Sequence, residues 1–494
     1  MIYLTAISLY LGALIMMGVY KSKKIKTQSD FAVAGRSLSP WVLVGTMLAT
    51  WVGTGSILGN AGKAYETGLA ALMLPIGGVM GVMVLTRIAG KVRGIEKFTV
   101  PEIIGSRYGQ NARVLSVVAL VMAYMVIVSY QYNAGGAVLH TVLTDDAGSS
   151  ILSLQACTAI AVAVIIAYTM LAGLVSVAYT DVVNGVVMTL SFVIALPILW
   201  HTAGGWSGME QAFAATGRDT HMQFWGVYSG FDIVNFLLPP FLLAMGDANM
   251  YQRFSASSTS KGATKATILL VFAVIMIELA IISSAWISSS MIPDAANGRN
   301  VLIYASHQFL PTALGAIMLT TMVGIIISTA DSFLLVPATT LIRDVYLQYV
   351  NPDADERRIV LLSRLFVLGL GLIAYAVSMG FAQSATFFDK ALYAYTIYGA
   401  AITPSLVAAF FWKRATSTGA VASIIAGTVV TLVWKEAAFI QDIVPGFIYQ
   451  NCDEVLPAIF ASILCLVSIS LLTPKPGTET LDEPGLQAGE TQPT

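Results

Sequence analysis

Charge is the scarcest property of this chain. Asp, Glu, Lys and Arg together make up 11% of its 494 residues, against roughly 25% in soluble domains. So few charges cannot clothe a soluble globule of this length, and no nucleic-acid partner is expected. Cysteine is nearly missing as well. Cys157 and Cys465 fall inside apolar runs and Cys452 stands alone in a loop, so no disulfide framework is suggested. No metal-ligand cluster, nucleotide-binding loop or nucleophile–base pair stands out, so an enzyme is not expected.

What the chain has instead is apolar length. Hydrophobic residues make up 56% of it, and 42 glycines suit helices packed closely in lipid. About thirteen apolar windows, from 2–20 to 455–473, are long enough to cross roughly 30 Å of hydrocarbon. The expected fold is an all-α polytopic membrane protein. Residues 1–473 form its transmembrane domain, and 474–494, polar, acidic and rich in Pro and Gly, form a disordered cytoplasmic tail. That tail is too short for a catalytic output domain, which argues against a membrane sensor, and no obligate protein partner is evident. The basic cluster at 21–26 follows the first apolar run instead of preceding it, unlike a signal peptide. Lys and Arg placement puts the N-terminus outside and the C-terminus in the cytoplasm of a cell membrane, with Arg253 counted among the inner charges.

Within the apolar stretch near 312–342 lies the run Ile325-Ile326-Ile327-Ser328-Thr329-Ala330-Asp331-Ser332. At roughly 100° per residue, Ser328, Thr329, Asp331 and Ser332 fall on one side of a helix. Their hydroxyls and carboxylate are hard ligands suited to small hard cations. Two other windows carry helix breakers at mid-span. One reads Ala49-Thr50-Trp51-Val52-Gly53-Thr54-Gly55-Ser56; the other has Pro239-Pro240, then Gly246-Asp247-Ala248-Asn249. Broken helices free carbonyls for an ion or a solute. The two lie five windows apart, opening two consecutive five-helix units, as an inverted repeat requires. Asp181, Asp247 and Glu278 also fall within spans, where each must face the bundle or be neutral. The sequence names no partner for Glu278, which suits a structural or neutral role.

The stretch Gly173-Leu174-Val175-Ser176-Val177-Ala178-Tyr179-Thr180-Asp181, the Ser328–Ser332 run and the glycine-broken second helix together resemble the sodium:solute symporter family. In motif they look closest to its choline-transporter branch, although Ala172 and Asn184 depart from the usual pattern. The resemblance implies an inverted-repeat core of five plus five helices (LeuT-like) with flanking helices, and Na+ as the coupling ion. Carried over by position, a first Na+ site takes the carbonyls of Ala49, Val52 and Ile325 and the hydroxyls of Ser328 and Thr329. A second site, present in part of the family, takes Asp181 with Ser328, Asp331 and Ser332. The carboxylate of Asp331 leaves a second Na+, a proton or neither as its occupant.

The function expected is Na+-coupled symport of a small organic solute into the cell by alternating access; a proton-coupled symporter of the same fold is the alternative. The solute is expected between the two breaks, near Trp51, Thr54, Ser56, Asp247 and Asn249, with Gln131 as a further wall. An indole beside a carboxylate suits an ammonium group. That favours an amine, an amino acid or a related zwitterion over a sugar, and not choline itself, because only Trp51 matches the aromatic set of the choline branch.

Overall fold

The computed structural model describes all residues except 1, 23–26, 145–149, 295–297, 299, 382–385 and 476–494, and among these it forms helices and no strand. The tail expected at 474–494, from residue 476 on, and much of the basic cluster at 21–26 lie outside the described residues. Helix α1 (Ile2–Ser22) precedes a unit of five. These are α2 (Pro40–Trp51 with Gly55–Met73), α3 (Pro75–Leu85 with Ala89–Ile95), α4 (Gln110–Leu143), α5 (Leu154–Leu171) and α6 (Gly173–Thr202). A second five follow: α7 (Gly230–Ala256), α8 (Ser260–Ser289), α9 (Thr312–Val350), α10 (Glu356–Gly380) and α11 (Phe387–Phe411). Then come α12 (Ser417–Glu436) and α13 (Val455–Leu472). Among the described residues 10 helices are long and apolar enough to cross a membrane, or 12 if the bent pairs of α2 and α3 each count as one span. The remaining expected span is α1, whose apolar stretch Ile2–Met17 is the shorter one.

The breaks have local causes. Ser39 caps α2 and Pro40 opens it, but at Val52 the backbone turns extended (φ −76, ψ 104) and the two halves of α2 meet at 50°. In α7 the interruption falls at Asp247 (φ −57, ψ 111), not at the prolines. Pro239 and Pro240 lie inside the first half of α7. Carbonyls near the break find donors from side chains: Thr403 reaches that of Leu242 at 2.7 Å, Tyr398 that of Gly246 at 2.7 Å and Tyr251 that of Met245 at 3.1 Å. In lipid such internal partners are obligatory, and α11 supplies two of the three. A second bend of 50°, in α3 between Leu85 and Ala89, has no breaker signal in the sequence. The chain turns from α5 into α6 at Gly173, whose φ of +56 favours glycine. The departure at position 172 therefore leaves the turn itself intact.

Packing brings the breaks together. α7 lies against α3 and α11, while α9 lies against α4 and the α5–α6 pair. The first half of α2 packs on α6, α8 and α9, and its second half on α11.

Candidate functional site

The Thr329 hydroxyl stands 3.4 Å from the Ala49 carbonyl and 3.3 Å from that of Val52. Backbone donors across the break go elsewhere. The Val52 N–H closes on Leu48, those of Ser56 and Ile57 on Gly53, and that of Thr54 on Gln131. One hydroxyl proton thus faces two carbonyls, leaving an oxygen-rich pocket short of donors, which is the environment a hard cation satisfies. Ile325 lies one turn earlier in α9, its carbonyl directed along the axis toward Thr329. Ser328 turns to the neighbouring helix and donates to Asp181 Oδ1. Gly53 permits the close approach. A Cβ there would lie 2.9 Å from Thr329 Cγ2 and 3.0 Å from Gln131 Nε2.

Beside this pocket is a centre that sequence reasoning missed. Arg253, expected among the inner-side charges, is fully buried in the bundle. Its guanidinium donates to Ser332 Oγ at 2.7 Å and Thr46 Oγ1 at 3.1 Å, and pairs with Asp181 Oδ2 at 3.5 Å. Thr46 donates to the same Asp181 oxygen at 2.5 Å. The signal available was charge balance: a carboxylate at mid-span requires a cation or a proton. Asp331 does not join this group. Its Oδ1 accepts from Thr169 of α5, and its Oδ2 has no hydrogen-bond partner. Two residues along a helix rotate a side chain by roughly 200°, so Asp331 and Thr329 face different neighbours.

Between the breaks of α2 and α7 lies a cavity of about 70 Å³. Of the residues expected around the solute, Trp51, Ser56, Gln131 and Asp247 line it. Thr54 and Asn249 stand behind this lining. Thr54 gives both its N–H (3.2 Å) and its hydroxyl to Gln131 Oε1, so Gln131 caps the second half of α2. Asn249 donates through its backbone N–H to Asp247 Oδ1 at 3.0 Å, where the Tyr124 hydroxyl also donates at 2.6 Å. Trp51 fits because position 78 is glycine; a Cβ there would lie 2.5 Å from its ring. Sequence reasoning missed the aromatic walls Tyr130, Phe333 and Tyr395, and it gave Glu278, which lines the cavity from α8, only a structural or neutral role. Aromatic residues recur throughout the spans and carry no sequence signal for which way they face.

Two five-helix units, each opened by an interrupted helix, with polar sites at the interruptions, define a secondary transporter. Residues 31–427 match the sodium:solute symporter family, and the chain belongs to that family. Its relatives include the high-affinity proline transporter PutP of Bacillus subtilis, 23% identical over 490 residues, covering 95% of this chain and 98% of that protein. The sodium/proline symporter of Haemophilus influenzae is 24% identical over 511 residues, covering 97% and 96%. Among solved structures, an outward-open, substrate-bound Na+-coupled sialic acid symporter superposes with a TM-score of 0.80 at 15% identity, covering 96% of this chain and 98% of that one. The transporter MhsT in complex with L-phenylalanine gives 0.58 at 11% identity, covering 88% and 97%. The fold is thus the LeuT-like inverted-repeat bundle. The protein is a multi-pass membrane transporter, not an enzyme, and carries out Na+-coupled symport of a small solute.

Proposed function

We propose that Na+ binds at the break of α2, held by the carbonyls of Ala49, Val52 and Ile325 and the hydroxyls of Ser328 and Thr329, and drives an amine or zwitterionic solute into the cell. The observation that carries this reading is the single Thr329 hydroxyl facing two carbonyls without backbone donors. The site joins α2 to α9, so bound Na+ favours the arrangement in which the two helices are close. A solute in the adjoining cavity, which Trp51 and Thr329 both line, then binds more tightly, and by reciprocity tightens Na+. The proline transporters among the relatives make an amino acid one candidate cargo. The protein resides in the cell membrane with its N-terminus outside, and one Na+ accompanies each solute. The second site expected around Asp181, Ser328, Asp331 and Ser332 is already served by a cation, because Arg253 reaches both Asp181 and Ser332.

Uptake into proteoliposomes, with Na+ replaced by Li+, K+ or choline at constant pH, tests the coupling. Uptake should require Na+ and persist when the proton gradient is collapsed. The alternative, proton drive, rests on the unpartnered Oδ2 of Asp331. It predicts uptake that follows the pH gradient in the absence of Na+ and is lost in Asp331→Asn.

Gly53→Ala provides a test of the site itself. The added methyl meets Thr329 from one side and Gln131 from the other, and overpacking of this kind costs about 1–3 kcal/mol. The Na+ concentration for half-maximal uptake should rise roughly 5- to 100-fold, with unchanged abundance in the membrane. An unshifted Na+ activation curve would place the ion elsewhere.

A further inference from the structure

Glu278 is a buried ionisable group that Na+ coupling leaves unused. It is 2% exposed, and its Oε1 accepts from Ser56 at 2.5 Å while its Oε2 accepts from Asn60 at 3.2 Å. These donors, and Trp51, which also hydrogen-bonds to Glu278, are neutral. Across the cavity, the hydrogen bonds made to Asp247 all fall on Oδ1. Neither carboxylate forms an ion pair among the described residues, and no Lys, Arg or His lines the cavity. Arg253, paired with Asp181 and hydrogen-bonded to Ser332, also acts electrostatically on Asp247. Two carboxyl groups therefore face one cavity, and its walls supply no cation to Glu278. Such an arrangement is costly unless a proton neutralises the group or the cargo brings the positive charge.

A carboxylate on the cargo has no place to go. The N-terminus of a half-helix is the natural seat for an anion in this kind of site. Here that seat, at the start of the second half of α2, is filled by Gln131 Oε1, which takes the Thr54 N–H and hydroxyl. A zwitterion would set its carboxylate beside Glu278 or Asp247, where like charge opposes it.

We infer that the transported solute is a small protonated amine without a carboxylate, its ammonium group docked on Glu278 between Ser56 and Asn60. This inference rests on the symport reading above and names its cargo. An ammonium bearing N–H groups forms charge-assisted hydrogen bonds to a carboxylate, which a quaternary ammonium cannot. The aromatic walls of the cavity, Trp51 and Tyr395 among them, take the aliphatic part.

The test uses the full chain in proteoliposomes under an inward Na+ gradient, with n-butylamine, 1,4-diaminobutane, tetramethylammonium, L-proline and n-butanol as probes. The thermal stability of the protein is followed in Na+ and in K+ without solute. Na+-driven uptake of the primary amines, with little of the other three, is expected. Glu278→Gln should cut amine uptake at least tenfold while keeping the stabilisation by Na+ alone, and Glu278→Asp should retain part of the uptake. Should Glu278→Gln fail to reach the membrane, the wild-type probe panel still decides. A protein stabilised by Na+ that takes up proline, or none of the amines, overturns the inference and leaves the symport reading standing. Amine uptake equal in wild type and Glu278→Gln overturns the role of Glu278. No Na+ effect on either stability or uptake overturns the symport reading itself.

Discussion

Thr329→Val should raise the Na+ concentration for half-maximal uptake by roughly 10- to 100-fold. The substitution keeps the shape of the side chain and removes the one hydroxyl that faces the carbonyls of Ala49 and Val52. An interaction with a charged partner is worth about 1.5–3 kcal/mol, and each 1.4 kcal/mol is about tenfold in affinity. Thr329→Ser restores the oxygen and should recover most of the lost affinity. The stabilisation of the purified protein by Na+ alone, read as the shift of its thermal midpoint, should fall in parallel, because that measurement needs no solute. If Thr329→Val keeps both the activation curve and the thermal shift of the wild type, Thr329 is not a ligand.

The second large effect belongs to Arg253. Arg253→Met leaves Asp181 buried with only the hydroxyls of Thr46 and Ser328 for partners. Removing one member of a buried ion pair costs about 3–5 kcal/mol, because the other charge stays behind without compensation. The variant should melt at a clearly lower temperature and reach the membrane in smaller amounts. Combining it with Asp181→Asn removes the stranded charge and should recover most of the stability, which a simple loss of packing around Arg253 would not. A double variant no more stable than Arg253→Met alone would show that the pair is not the source of the effect.

Much of this protein is legible from its chain. The scarcity of charge and the apolar windows determine a membrane bundle of helices, because in lipid every backbone group must be satisfied within a helix. The glycines at 53 and 55 mark the break of α2, and the hydroxyl run on α9 marks an oxygen-rich face, because backbone freedom and ligand chemistry are properties of single residues. Local signals fail where two local effects compete. Of the two breaker signals in α7, Pro239-Pro240 and Gly246-Asp247, the interruption falls at the second, where donors from α11 and a nearby tyrosine satisfy the carbonyls around it.

What only the tertiary structure decided is which side chain meets which. Thr329 meets a carbonyl 280 positions away and Ser56 meets Glu278 across 222. No periodicity within one helix carries that information. The Ser328–Ser332 run determines that oxygens are present; the crossing of α9 with α2, α5 and α6 decides that Thr329 faces the break, Ser328 faces Asp181 and Asp331 turns to Thr169. Arg253 reads as an inner-side charge until the second half of α7 is packed against α9, where burial makes its pairing with Asp181 obligatory. The physical reason is the same in each case: spacing along a helix sets the direction of a side chain, but burial and partners are set by the neighbouring helices.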